Sequence, residues 1–101
     1  MIEELNENNF DEKTKDGVKL VAFLADWCGY CQRQKPILKE IAEKDIWIGE
    51  INGDKNPNLV YKYRIDGFPA FILFKNGEII GKFAGYRDKY NLLNTLLEYL
   101  K

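Results

Sequence analysis

The chain is expected to fold as one α/β domain, a mixed sheet in which a parallel crossover is followed by an antiparallel hairpin, with helices on both faces. Three observations lead there. Short apolar runs alternate with helical patterns in the order strand, helix, strand, helix. Asn76-Gly77 then separates two strand-like runs, the strongest short-range hairpin signal. The closing segment "KYNLLNTLLEYL" repeats leucine at helical spacing and needs an apolar surface to cover.

Composition sets the outer limits. With 101 residues, 46% of them hydrophobic, residues 1–101 can form a single domain whose core needs no cross-links. Lys and Arg total 15 against 16 Asp and Glu, so no strong field is present to hold nucleic acid or an anionic membrane. The first residues, "MIEELNENNF", lack the basic start and apolar core of a secretory signal. Apolar runs such as Val21 to Ala25 are far too short to span a bilayer. A soluble, cytoplasmic monomer is the expectation.

Taken in order, Ile2 to Leu5 is expected as a short edge strand and Asn9 to Lys15 as a short helix. The run Val18 to Ala25, "VKLVAFLA", is β-branched and apolar and follows Asp16-Gly17, which suits a strand buried on both faces. In "CGYCQRQKPILKEIAEKD", Ile37, Leu38, Ile41 and Ala42 recur at helical spacing, giving a helix that begins near the cysteines. Pro36 lies inside it, so the helix should bend there or break into two pieces. Ile46 to Ile51 is a second short strand, and Pro57 is well placed in the first turn of a brief helix reaching Tyr63. Ala70 to Phe74 and Glu78 to Ala84 form the hairpin, and Leu92, Leu93, Leu96, Leu97 and Leu100 place a stripe of the last helix, Lys89 to Leu100, on the sheet.

The two cysteines, Cys28 and Cys31, enclose only Gly29 and Tyr30. A bond between them closes a loop too short to restrain the unfolded chain, so a structural staple is a weak reading. Zinc normally takes four ligands, and the chain has no histidine and no second cysteine pair. A metal would need two chains to share ligands, or carboxylates or exogenous thiols to fill in. Sheets of this kind place working residues just beyond the carboxyl ends of their strands, which is where Cys28 falls. A helix N-terminus offers its sulfur unpaired backbone N–H groups and the positive end of the dipole, both of which favour thiolate. Cys28 is therefore expected to attack, and Cys31, one turn on and shielded by the helix, to resolve the mixed disulfide. With no histidine, the usual Ser-His and Cys-His activation schemes are absent.

The segment "ADWCGYCQ" after a buried strand, Pro36 five residues past Cys31, "DGFPAFILFKNGEIIGKFAG" and the leucine-rich last helix together resemble the thioredoxin family along the whole chain. The resemblance implies the thioredoxin fold, with a central mixed sheet of four to five strands flanked by helices on both faces. It implies a cis Phe68-Pro69 bond facing the cysteines. It also implies an extended substrate segment docked on Trp27, Gly29, Tyr30, Phe68, Pro69, Ala84 and Gly85 by strand addition. For Trp27 a half-buried cap on the helix start, and for Phe68 simple core packing, remain open readings. The resemblance implies disulfide-containing protein substrates, a flavin-dependent thioredoxin reductase as electron donor, and no bound cofactor or metal.

Three departures from the family pattern bear on mechanism. Tyr30 stands where thioredoxins usually carry proline; Gly-Tyr resembles the motif of a periplasmic disulfide isomerase, and Tyr30 also resembles glutaredoxin. A potential less reducing than thioredoxin's value of about −270 mV is expected. Second, the family's buried Asp six residues before the first cysteine is Ala22 here, and its lysine partner, counted back from Pro57, is Glu50. If Glu50 points inward its pKa should be raised and it can accept the proton of Cys31; alternatively it leans into water at the strand end. Third, Gln32 replaces the basic residue often found after the second cysteine, with Arg33 and Lys35 nearby serving partner docking or merely a solvated face. The leading reading is a small reductase of protein disulfides. A disulfide isomerase or a glutathione-linked glutaredoxin-like protein comes second, and a non-catalytic binding module of the same fold is the alternative of another class.

Overall fold

The computed structural model describes residues 1–101. Nine elements follow in the order β1 Ile2–Leu5, α1 Phe10–Thr14, β2 Val18–Leu24, α2 Gly29–Ala42, β3 Ile48–Asn52, α3 Pro57–Lys62, β4 Ala70–Lys75, β5 Glu78–Ala84 and α4 Lys89–Leu100. They build one five-stranded sheet in the order β1-β3-β2-β4-β5. β3 pairs parallel with both β1 and β2, while β4 runs antiparallel to β2 and to β5. The sheet is thus mixed, as expected, with the parallel part first in sequence and the hairpin last.

Two apolar layers sandwich it. On one face Leu20, Ala22 and Leu24 of β2 join Ile48, Phe71 and Leu73 beneath α2 and α4, together with Cys31, Leu38, Ile41, Leu92 and Leu96. On the other, Val21 and Phe23 join Ile51, Ile72 and Phe74 beneath Phe10 of α1 and Leu59 of α3. The strict alternation of β2 between these layers explains its continuous apolar run: neither face is left for water. The stripe Cys31, Gln34, Leu38, Ile41 fixes how α2 lies on the sheet, and so fixes which way its first turn points.

Several boundaries differ from expectation. α2 is one continuous helix with Pro36 inside it; Pro36 is exposed, so the carbonyl it leaves without an N–H partner is open to water. β3 begins at Ile48 rather than Ile46, because Asp45 adopts a left-handed turn conformation (φ 65°) and the ladder starts only where Ile48 meets Ile2 and Leu20. Of the five leucines assigned to the sheet-facing stripe, Leu92 and Leu96 are buried and Leu93 partly so, but Leu97 is 61% and Leu100 39% exposed. In the last turn of α4 it is Tyr99 that lies on the sheet, its ring stacked on Phe83 of β5 at 5.8 Å, while these two leucines with Val18 and Trp47 border an apolar hollow of about 160 Å³. No helix is long and apolar enough to cross a membrane.

Candidate active site

β2 delivers the chain to the edge of its apolar layers at Leu24, and a turn closed by Cys28 N–H to the Ala25 carbonyl (3.2 Å) swings it into α2. Cys28 is the N-cap of that helix, in extended conformation (φ −90°, ψ 114°). Its sulfur takes the place of the oxygen of a capping side chain: the Cys31 N–H donates to Cys28 Sγ at 3.2 Å. One turn of helix therefore sets the two thiols side by side with different exposure. Cys28 is 7% exposed and Cys31 not at all. The Cys28 sulfur is thus more enclosed than the sequence suggests, because the turn before β4 closes over it: Cys28 Sγ–H donates to the Phe68 carbonyl at 3.5 Å. The Phe68-Pro69 peptide bond in that turn is cis.

Cys31 is held as a thiol. Its pKa is pushed up to about 12, first by burial and next by the hydrogen bond with Cys28, while Lys35 pulls slightly the other way. A carboxyl group lies in the sheet beneath. Ala22 and Glu50 are direct partners across β2 and β3, and Glu4 of β1 continues the same row. Glu50 therefore projects on the face that carries Cys31 and α2. It is half-buried, bordering two openings that it shares with Lys35. Burial raises its pKa above the ordinary carboxylate range; the Lys35 charge lowers it and Glu4 raises it. Glu50 thus stands between the two readings considered from sequence, on the inner face and yet within reach of water.

The remaining site residues gather around the dithiol. Trp27 is 71% exposed, its Nε1–H donating to Asp54 at 2.9 Å and its ring meeting Phe68 edge-on at 5.9 Å. Gly53 lies against the Phe68 ring with no room for a Cβ. Gly29 and Tyr30 are exposed on the first turn of α2, and Pro69 is buried beneath the loop it shares with Phe68. Ala84, opposite Ala70 at the end of β5, is exposed. Gly85 follows with φ 93°, a conformation that favours glycine, and its N–H donates to the Pro69 carbonyl at 2.9 Å. The seven residues expected from sequence to meet substrate thus lie at the dithiol end of the sheet, with Glu50 one strand away below.

Other residues shape this end of the molecule and were not singled out from sequence. Gln34 is fully buried and spends both ends of its amide on one loop residue: Nε2–H donates to the Arg87 carbonyl (3.0 Å) and Oε1 accepts from the Arg87 N–H (2.9 Å). A polar residue in phase with Cys31 and Leu38 was the available signal. Tyr86, placed by that clamp, lies against Tyr30 with ring centroids 6.1 Å apart. Asp54, which fixes Trp27, carried no signal in the sequence.

Paired thiols, one capping a helix at the carboxyl end of a buried strand and the other in its first turn, roofed by a cis-proline turn, define the class: thiol-disulfide oxidoreductases. Comparison with known proteins then gives the family. Residues 1–98 match the family model described as Thioredoxin, and the chain belongs to the thioredoxin family. It is 37% identical over 102 residues to a thioredoxin from Staphylococcus haemolyticus (strain JCSC1435), covering 98% of both chains. It is 36% identical over 102 residues to one from Staphylococcus aureus (strain N315), again covering 98% of each. Among solved structures, a mutant thioredoxin from Halobacterium salinarum NRC-1 superposes with a TM-score of 0.89 at 29% identity, over 99% of this chain and 91% of that one. The fold is the thioredoxin fold, and the protein is a disulfide oxidoreductase.

Proposed function

We propose that the protein reduces disulfide bonds in other proteins by a cycle through Cys28 and Cys31. Cys28, as thiolate, attacks one sulfur of the substrate disulfide; that bond breaks, one substrate sulfur leaves and takes up a proton, and the other is joined to Cys28. Cys31 then gives its proton to the Glu50 carboxylate, directly or through water, and attacks Cys28 Sγ. The mixed disulfide breaks, the substrate departs as a dithiol, and Cys28 and Cys31 are left bonded, having supplied two electrons. A flavin-dependent thioredoxin reductase returns those electrons, and a cytoplasmic setting, where thiols are kept reduced, suits the cycle.

The observation that carries this reading is the fully buried Cys31 whose own N–H bonds to Cys28 Sγ, so that a resolving thiol waits directly behind the more exposed one. Substrate docking is assigned to Trp27, Gly29, Tyr30, Phe68, Pro69, Ala84 and Gly85. The test is trapping: Cys31→Ser should accumulate a mixed disulfide with a disulfide-bonded protein such as insulin, and Cys28→Ser should not. Equal behaviour of the two variants would overturn the assignment of roles. Tyr30 in place of proline favours glutathione as a competing electron source, and turnover with glutathione but not with a thioredoxin reductase would select that second reading.

A further inference from the structure

The rim of the dithiol is built differently on its two sides. Toward β3, Trp27 is tied to Asp54, and Asp26 is met by the side chain of Asn52 at 3.4 Å. Toward β5, Arg33 lies over Tyr86 at 4.9 Å and over Tyr30 at 5.6 Å, two residues past Cys31 on α2. Because β3 and β4-β5 flank β2 on opposite sides of the sheet, these are opposite ends of one face. One end carries Asp26 and Asp54, the other Arg33.

The cation is unspent. Arg33 donates no hydrogen bond within the chain and enters none of its three ion pairs, all of which are made by lysines. Its neighbours are engaged elsewhere: the Arg87 guanidinium turns to Asn91 and Thr95 (2.8 and 3.1 Å), and Lys89 pairs with Glu40 at 3.3 Å. A guanidinium against aromatic faces keeps its in-plane N–H groups free, and those groups match a carboxylate in two-pronged fashion. Tyr86 is in turn held by the Gln34 clamp on the residue beside it, so the aromatic wall is ordered before any partner arrives.

We propose that Arg33, seated against Tyr30 and Tyr86, is a receptor for a carboxylate on the substrate, so that the protein favours protein segments whose disulfide is flanked by an acidic side chain. This rests on the reductase reading above and adds its substrate preference. Arg33 touches no reacting atom in it; it acts by holding the segment.

The test uses extended peptide disulfides that differ at one position, Glu or Lys, placed before or after the cysteine. For the intact protein at low salt, the Glu peptide of one pair should be reduced with a kcat/KM about fivefold above its Lys counterpart, the scale of an exposed ion pair. The ratio should shrink as salt is added. Arg33→Gln should bring it to about one, and Arg33→Lys should retain part of it, since the charge stays but the planar contact is lost. Because the readout is a ratio within each variant, a general loss of activity cannot imitate the result. A ratio of one in the unmodified protein, or an unaltered ratio in Arg33→Gln, overturns the proposal while leaving the reductase reading intact. Failure to reduce any peptide removes both.

Discussion

Ala22 of β2 and Glu50 of β3 face each other in register, so the strand leading into the cysteines offers no carboxylate of its own and the neighbouring strand supplies one. The acid has moved sideways by one strand while staying on the face that carries Cys31. Two predictions, one on rate and one on stability, rest on that displacement.

Glu50→Gln should slow the second step of the cycle, release of the substrate from its mixed disulfide, by about tenfold or more, while the first step is kept. In the unmodified protein the rate of that step should rise with pH as Glu50 becomes a carboxylate, through a range above the ordinary carboxylate pKa. The variant should lack this limb. Rapid-mixing kinetics across pH decide it, and an unchanged profile rules out Glu50 as the acceptor.

The same group carries a stability signature. A carboxyl whose pKa is raised on folding binds its proton more tightly in the native state, so its contribution is greatest below the unfolded-chain pKa and is lost as pH rises through the native one. Glu50→Gln cannot ionise. Its urea midpoint relative to the unmodified protein should therefore improve as pH rises above the ordinary glutamate pKa of about 4.3. A pH-independent difference would mean that Glu50 ionises as freely in the fold as outside it.

Tyr30→Pro should make the reduction potential more negative, toward about −270 mV, from a starting value less reducing than that. The substitution is sterically permitted, since Tyr30 lies in the first turn of α2 where proline is tolerated. Equilibration with glutathione measures both proteins, and equal potentials would show that the residue between the cysteines does not set the poise.

Gln34→Ala removes an amide that satisfies both backbone groups of Arg87 from a fully buried position. A loss of about 2 kcal/mol in unfolding free energy is expected from urea titration. Near-neutral stability would indicate that water replaces the amide without strain.

Gly53→Ala would drive a methyl group into the Phe68 ring. Phe68 also packs on Trp27 and supplies the carbonyl over Cys28, so its displacement should lower kcat/KM for protein disulfides several-fold, with destabilisation of about 1–3 kcal/mol. Wild-type turnover in a folded variant would show that Phe68 has slack.

Much of this was legible in the residues themselves. The apolar run of β2, Pro57 at the start of α3 and Asn76-Gly77 between β4 and β5 each carry a local physical cause, and each of these elements formed within two residues of its expected span. Glu50 and the docking residues came through family likeness, because nothing local in "IWIGEI" says which strand its carboxylate will face. What stayed hidden depends on contacts across long separations. The pairing of Gln34 with Arg87 and of Arg33 with Tyr86 joins residues 53 apart, and neither side carries a mark of the other. The exposure of Leu97 and Leu100 was hidden for the same reason, since periodicity gives the direction of a stripe but not that Tyr99, stacked on Phe83, takes the place on the sheet in the last turn.

The two-ended grip of Gln34 on Arg87 has a mechanical corollary. It couples α2 to the strand-to-helix loop on the Tyr86 side as a stiff jaw, whereas the opposite jaw is held at exposed positions, by the hydrogen bonds of Trp27 to Asp54 and Asn52 to Asp26 and the edge contact of Trp27 with Phe68. Accommodation to partners of different shape should fall on the tryptophan side, leaving the arginine as the fixed point against which each is aligned.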